Sequence, residues 1–495
     1  MKNKDDIKKC LLCYDAPCNK SCSFKPSEIL KSAYFNDLYG ASNLAKKVDC
    51  TSCDKLCEKA CINNVKISNI INNIKDLKLE DLDTKNIDIS SSICGIKLKN
   101  PFLLSSSVVS SSYEMVARAF DLGWAGAVYK TVSLINIKEA SPRFTALKTD
   151  NNYICGFKNI EQLSEKTLEE NLEIFRKLKK NYPDNVLIVS IMGRNEQEWE
   201  DITRKVAEAG VDAIELNFSC PNMEEKETGI DIGQSLDLCY RYTAAARRGT
   251  NIPILAKLTP NITDISDYAH KCIDAGADGI AAINTIKSIT DFDINDYSEL
   301  KLEKTMISGY SGSAIRPIAL RFIEDLAHDK YLEKTSISGI GGIESWKDAL
   351  QYIILGCDSV QVTTAIMQYG YDIVTHLING LKSFMAKNNY KSIRDIKGLA
   401  IDYVVDSDKM DRKTIVYPKH DLNKCVGCGR CYVSCLDGGH QAISFDPNTR
   451  KVSFDLKKCY GCFLCFLVCP SGAISRSNRV DNPRYAKNRE MRNND

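Results

Sequence analysis

Two cysteine runs near the C-terminus, CVGCGRCYVSC at 425–435 and CYGCFLCFLVCP at 459–470, constrain this chain more than any other feature. Each reads Cys-x2-Cys-x2-Cys-x3-Cys, and Pro470 follows the second. Three thiolates so closely spaced surround one face of an iron–sulfur cubane, and the fourth cysteine of each run reaches the other cluster. The pattern predicts two 4Fe–4S clusters. Cys425, Cys428, Cys431 and Cys469 hold one; Cys435, Cys459, Cys462 and Cys465 hold the other. Zinc knuckles do not repeat this four-cysteine run. Two cubanes this close form a wire for electrons rather than a catalyst.

The N-terminus carries eight more cysteines. CLLCYDAPCNKSC supplies Cys10, Cys13, Cys18 and Cys22; after the helix-prone residues 23–49 come Cys50, Cys53, Cys57 and Cys61. Two further 4Fe–4S clusters suit this number, with zinc or a single cluster as the alternatives. By analogy with interleaved ligation, Cys10, Cys13, Cys18 and Cys61 serve one cluster and Cys22, Cys50, Cys53 and Cys57 the other. A secreted disulfide scaffold is short and evenly rich in cysteine. Here the cysteines flank a large middle, and the start, MKNKDDIKKC, is charged with no apolar core of a signal peptide. Both points favour metal ligation in a reducing cytoplasm.

A chain of 495 residues exceeds a single core. We expect a cysteine-rich, α-rich segment at 1–75, a barrel at 76–400, an α+β ferredoxin-like module at 401–480 and a basic tail at 481–495. The formal net charge of +2 gives no electrostatic case for nucleic acid. No run of about 18 apolar residues exists to span a membrane.

Between about residues 98 and 386, short apolar runs alternate with helix-period stretches. The expected strands are Phe102–Ser105, Gly126–Lys130, Val186–Met192, Ala213–Asn217, Ile254–Lys257, Gly279–Asn284, Ser336–Gly339 and Ser359–Thr363. Helices such as Glu196–Ala209 and Ile265–Ala275 lie between them. Eight strands separated by helices imply a parallel sheet, best closed as a (β/α)8 barrel. A doubly wound open sheet is the alternative, but no GxGxxG opens any helix.

Polar residues gather at the strand C-termini, the active face of such a barrel. The last two strands run into ISGIGGI and VQVTTA, and SGYSGSAIRP at 308–317 precedes another helix. Backbone N–H groups and hydroxyls in these places suit a phosphate. A phosphate site with Lys130 and Lys257 at strand ends is what FMN requires, the lysines stabilising negative charge on a reduced flavin. In LNFSCPN at 216–222, Cys220 sits just past a strand end. A thiol, with its ordinary pKa of about 8.5, can donate or accept a carbon-bound proton. Cys94, Cys155, Cys239, Cys272 and Cys357 read as inert.

These residues resemble the dihydropyrimidine dehydrogenase family, including its bacterial NAD-dependent catalytic subunit, from about Ile87 to Ser475. The stretches that carry the resemblance are NPFLLSSS, YKTVSL, ASPR, NIEQLSEKT, LNFSCPN, AKLTPNITDI, INTI, SGSAIRPIAL, GGIES and CYVSCLDGGHQAI. The N-terminal CLLCYDAPCNKSC is similar to the cluster-bearing start of the large dihydropyrimidine dehydrogenases. The resemblance implies that FMN contacts Ser105, Ser106, Lys130, Thr131, Asn217, Lys257, Ser311, Gly312, Gly341, Gly342, Thr363 and Thr364. It implies that Asn159, Glu161, Asn217, Asn284 and Thr285 hold a pyrimidine ring, with Ser219 nearby. Cys220 would exchange the proton at ring C5 while flavin N5 exchanges hydride at C6, interconverting dihydrouracil or dihydrothymine with uracil or thymine.

Two departures accompany the resemblance. Asn222 stands where the family usually has histidine, and SCPN matches dihydroorotate dehydrogenases of the cytosolic type. Against a carboxylated substrate, Glu161 should repel it, although the loop at 141–158 contains Arg143 and Lys148. The FAD and NADPH domains of the large enzymes are missing here, so electrons are expected from an FAD- and NAD(P)H-binding partner or a ferredoxin, in a homodimer or hetero-oligomer. A dihydroorotate dehydrogenase-like enzyme and a non-catalytic electron-transfer subunit are the competing readings.

Overall fold

The computed structural model describes residues 4–485 except 51–52, 78, 136, 150–152, 221–222, 224–227 and 291–306. The chain forms two compact units, Met1–Tyr403 and Val404–Asp495.

In the first unit, eight parallel strands close into a barrel in chain order: Phe102–Leu104, Gly126–Val132, Val186–Ile191, Ala213–Asn217, Ile254–Leu258, Gly279–Ala282, Ser336–Ile340 and Ser359–Val362. The last strand pairs back onto the first, Val360 opposite Phe102. Each expected strand is present, within two residues at its ends. The barrel strands are buried along nearly their whole length, which is why they read as unbroken apolar runs rather than alternating ones. The expected helices appear as Glu196–Glu208 and Ile265–Asp274, capped at Asn195 and Asp264 by side chains that accept backbone N–H bonds. Gly126 can only be glycine, since a β-carbon there would lie 2.6 Å from the Val186 carbonyl of the next strand.

A hairpin, Ser91–Ile93 with Ile96–Leu98, plugs the N-terminal end of the barrel. Its turn residues Cys94 and Gly95 both have positive φ, as a tight hairpin turn demands. Burial pushes the Cys94 thiol up to about 12, in keeping with an inert role.

Over the opposite end lies a four-stranded antiparallel sheet: Phe144–Lys148, Ile154–Asn159, Ser308–Ser311 and Ile286–Ser288. The expected loop at 141–158 is instead a local hairpin of two of these strands, and Ser308–Ser311 forms a strand because Phe157–Asn159, some 150 positions earlier, pairs with its backbone groups.

The N-terminal segment is helical, as expected, and it packs on the barrel. Helix Pro26–Tyr34 ends in Phe35, whose ring joins the barrel core, stacked on His376 at 5.2 Å and edge-on to Tyr369 at 5.2 Å. Lys31 pairs with Asp372 at 2.8 Å, and the Trp346 indole donates to the Asn36 carbonyl at 3.0 Å. Residues 1–75 therefore share a unit with the barrel rather than standing apart.

The second unit pairs Thr414–His420 with Ile474–Asp481 and Ile443–Asp446 with Lys451–Phe454, and carries helices Arg430–Gly438 and Leu464–Leu467. The expected basic tail begins inside this structure. Asp481 pairs with Thr414, and Arg484 donates to the Cys459 carbonyl at 2.9 Å.

Candidate functional site

A cavity of about 1090 Å³ opens at the C-terminal end of the barrel. It gathers every residue expected at flavin, substrate and proton transfer, except Ser219. Ser219 lies just behind the wall, accepting from Asn284 Nδ2 at 2.7 Å and donating to the Lys257 carbonyl at 3.3 Å.

One end of the cavity is a cradle of backbone and hydroxyls. Gly312, Gly341 and Gly342 have φ of 92°, 137° and 66°, conformations that suit glycine. A β-carbon on Gly342 would sit 2.8 Å from the Gly312 carbonyl oxygen, so the two turns close on each other. Ser311 and Thr364 hydroxyls meet at 3.1 Å across them. Behind Gly312, a 3-10 turn at Ser313–Ile315 leads into the helix Arg316–His328, whose N-terminus favours an anion. Glycine turns, hydroxyls and a helix start are the groups that a phosphate monoester takes, so these residues fit the flavin's phosphate end.

The middle carries the two lysines, each met by a carboxylate that its motif does not announce. Lys257 is buried; its Nζ lies 3.3 Å from Glu215 Oε1 and donates to Ser105 Oγ at 3.4 Å. Gln361 Nε2 binds the other Glu215 oxygen at 3.0 Å. Lys130 is held by Glu139 at 3.3 Å and Glu161 at 2.5 Å. Glu215 and Gln361 point into the barrel from strand interiors; only strand alternation around a closed barrel could have flagged them.

The far end is built by the antiparallel sheet. Strand Ile154–Asn159 brings Asn159 and, just beyond it, Glu161 to the cavity, with Phe144 and Phe157 as apolar walls. Glu161 is also paired with Arg143 at 3.1 Å. Its charge is thus met by two cations, and the repulsion expected between Glu161 and a carboxylated ring loses most of its force. Asn217 donates to Thr131 Oγ1 at 2.9 Å and accepts from Ser219 N at 3.3 Å, which fixes its amide. Asn284 Oδ1 accepts from Thr285 N at 2.8 Å.

Cys220 lines the same cavity and is buried. Its carbonyl accepts from Ile230 N at 2.9 Å, and a β-carbon on Gly229 would lie 2.3 Å from that oxygen. Gly229 therefore lets the chain close back onto Cys220. Asn222 lies outside the described residues.

Cys425, Cys428, Cys431 and Cys469 line one pocket of about 300 Å³ in the second unit. Cys435 and Cys462 neighbour Cys459, and Cys465 is close to both Cys459 and Cys462. Backbone N–H groups already point at sulfur: Ala473 N to Cys469 Sγ and Ala442 N to Cys435 Sγ, both 3.3 Å. In the N-terminal segment, Cys10, Cys13, Cys18 and Cys61 line a pocket of about 460 Å³, while Cys22 and Cys50 neighbour Cys57, and Cys53 neighbours Cys50. Among the described residues no three such side chains converge to grip a single ion. A cubane takes four thiolates on a larger body. Among them, too, no helix is long and apolar enough to cross a membrane.

Comparison with known proteins agrees with this architecture. Residues 88–385 match the family model "Dihydroorotate dehydrogenase", and residues 419–475 match "4Fe-4S dicluster domain". The chain is 51% identical over 365 residues to the NAD-dependent dihydropyrimidine dehydrogenase subunit PreA of Escherichia coli (strain K12), covering 73% of this chain and 89% of that protein. It is 38% identical over 341 residues to the chloroplastic dihydropyrimidine dehydrogenase (NADP(+)) of Arabidopsis thaliana, covering 66% and 80%. The crystal structure of a dihydroorotate dehydrogenase from Eimeria tenella in complex with ferulenol superposes with a TM-score of 0.54 at 19% identity, over 65% of this chain and 90% of that one, and so shares the fold. With a closed barrel that carries this cavity and a C-terminal dicluster module, the chain belongs to the dihydroorotate dehydrogenase family and, within it, to the oxidoreductases of the dihydropyrimidine dehydrogenase type.

Proposed function

We propose that this chain uses FMN and 4Fe–4S clusters to interconvert 5,6-dihydrouracil or dihydrothymine with uracil or thymine. The observation that carries the reading is one cavity that brings together a phosphate cradle, a buried lysine, three amides and a buried thiol. FMN bound there would supply hydride exchange at its N5. Gly312, Gly341, Gly342, Ser311, Thr363 and Thr364 would hold its phosphate, and Lys257 would face charge on its ring. Asn159, Asn217 and Asn284 would pair with the alternating C=O and N–H groups of the pyrimidine edge. Cys220 takes the C5 proton as the C6 hydrogen leaves as hydride, so the ring gains its double bond; in the other direction the thiol returns that proton.

Electrons would reach the cavity through the clusters from a partner that binds FAD and NAD(P)H, or from a ferredoxin, in a dimer or hetero-oligomer in the cytoplasm. That the E. coli relative is a subunit of an NAD-dependent enzyme supports a partner.

Dihydroorotate oxidation is a second reading. The Arg143–Glu161 pair favours it, because a substrate carboxylate could replace Glu161 beside the guanidinium. The test is anaerobic titration of the loaded protein with each substrate while flavin absorbance is followed. Bleaching by dihydrouracil and not by dihydroorotate supports the first reading, and the reverse result sinks it.

A further inference from the structure

Among the described residues, the N-terminal segment contacts Trp346, Tyr369, Asp372 and His376, all in the turns and helices that follow the seventh and eighth barrel strands. This is the rim of the phosphate cradle. Leu12, between the ligand candidates Cys10 and Cys13, packs against the barrel core. Helix Pro26–Tyr34 lends Leu30 and Lys31 to the wall of the Cys10, Cys13, Cys18 and Cys61 pocket. One turn later the same face presents Tyr34, whose ring meets Tyr369 edge-on at 5.8 Å. Tyr369 ends the helix Thr364–Tyr369, and Met367 of that helix lines the barrel cavity.

We propose that the N-terminal site of Cys10, Cys13, Cys18 and Cys61 is the electron port of its own barrel, exchanging single electrons with flavin in the cavity across Tyr34, Tyr369 and Met367. The proposal rests on the flavin and cluster reading above, but not on which substrate is used. Two one-electron transfers and one proton from solvent take oxidised flavin to its reduced anion. Each transfer leaves the cubane one electron poorer, and a one-electron carrier protein is oxidised to refill it.

The experiment uses the full chain with Cys428→Ser and Cys462→Ser, substitutions confined to the second unit, loaded anaerobically with FMN and iron–sulfide. After partial reduction with dithionite, microwave-power saturation of the flavin radical is measured by electron paramagnetic resonance. A paramagnetic reduced cubane next to the cavity should shift saturation to higher power. Adding Cys13→Ser and Cys18→Ser should abolish the shift. A radical that saturates like free flavin in the first variant overturns the port, whatever the second variant does. Failure of the chain to bind flavin at all would instead refute the reading on which the port rests.

Discussion

Replacing Gly342 by alanine tests the cradle. The residue sits at φ 66°, where a side chain costs about 1–2 kcal/mol. The new β-carbon would lie 2.8 Å from the Gly312 carbonyl oxygen and 2.9 Å from Arg316 Cβ, whereas ordinary contacts begin at 3.4 Å. Overpacking of this kind costs about 1–3 kcal/mol more. The first penalty is felt with or without ligand and lowers Tm. The second is relieved by moving the Gly312 turn away, which opens the cradle. It should therefore appear as weaker flavin binding, by about 5- to 150-fold for that energy. Gly210→Ala is the control, with φ 84° and nothing within 4 Å of the added carbon. It should lose stability by the conformational penalty alone and bind flavin normally. The assay is fluorescence titration of flavin-free protein with FMN, beside thermal melts. Undiminished FMN affinity in Gly342→Ala, or an equal loss in Gly210→Ala, would refute the reasoning.

Cys220→Ala should lower turnover by about 10²-fold or more with flavin absorbance intact, and near-normal turnover would remove Cys220 from proton transfer. Glu215 is fully buried against Lys257; Glu215→Gln strands that charge and should destabilise the first unit by about 3–5 kcal/mol, while Glu215→Gln with Lys257→Met should recover much of it. Asp37 caps the helix Leu38–Ala45, and burial pushes its carboxyl up to about 6, from 3.8. The native state then binds the extra proton, so its stabilising effect is whole below pH about 4 and fades as pH rises through about 6, a change of about 3 kcal/mol. Burial lowers His376 to about 4, which acts the other way. The difference between the parent and Asp37→Asn in urea melts across that range isolates the Asp37 effect, and a flat difference refutes it.

The barrel and the C-terminal dicluster module were legible because both are local in origin. Buried parallel strands leave continuous apolar runs such as VLIVSI, and cubane ligation leaves fixed cysteine spacings. Strand ends then mark the active face, which is why most of the cavity residues could be named from the sequence.

Other parts of the site depend on residues far apart in the chain. SGYS at 308–311 is a strand only because Ile154–Asn159 supplies its partner, and that pairing, not a loop, delivers Asn159 and Glu161 to the cavity. Glu139 and Glu215 have no sequence signal as lysine partners; barrel closure and chain return set those distances. The sequence by itself determined the C-terminal dicluster module, the eight-fold barrel and the strand ends at which the cavity opens. The tertiary structure alone decided that Lys130, Lys257 and Glu161 work as compensated charges, and that the N-terminal cysteine segment is anchored by Phe35 beside the cradle. Such placements follow from the burial of shared surfaces, which spacing along one chain does not record.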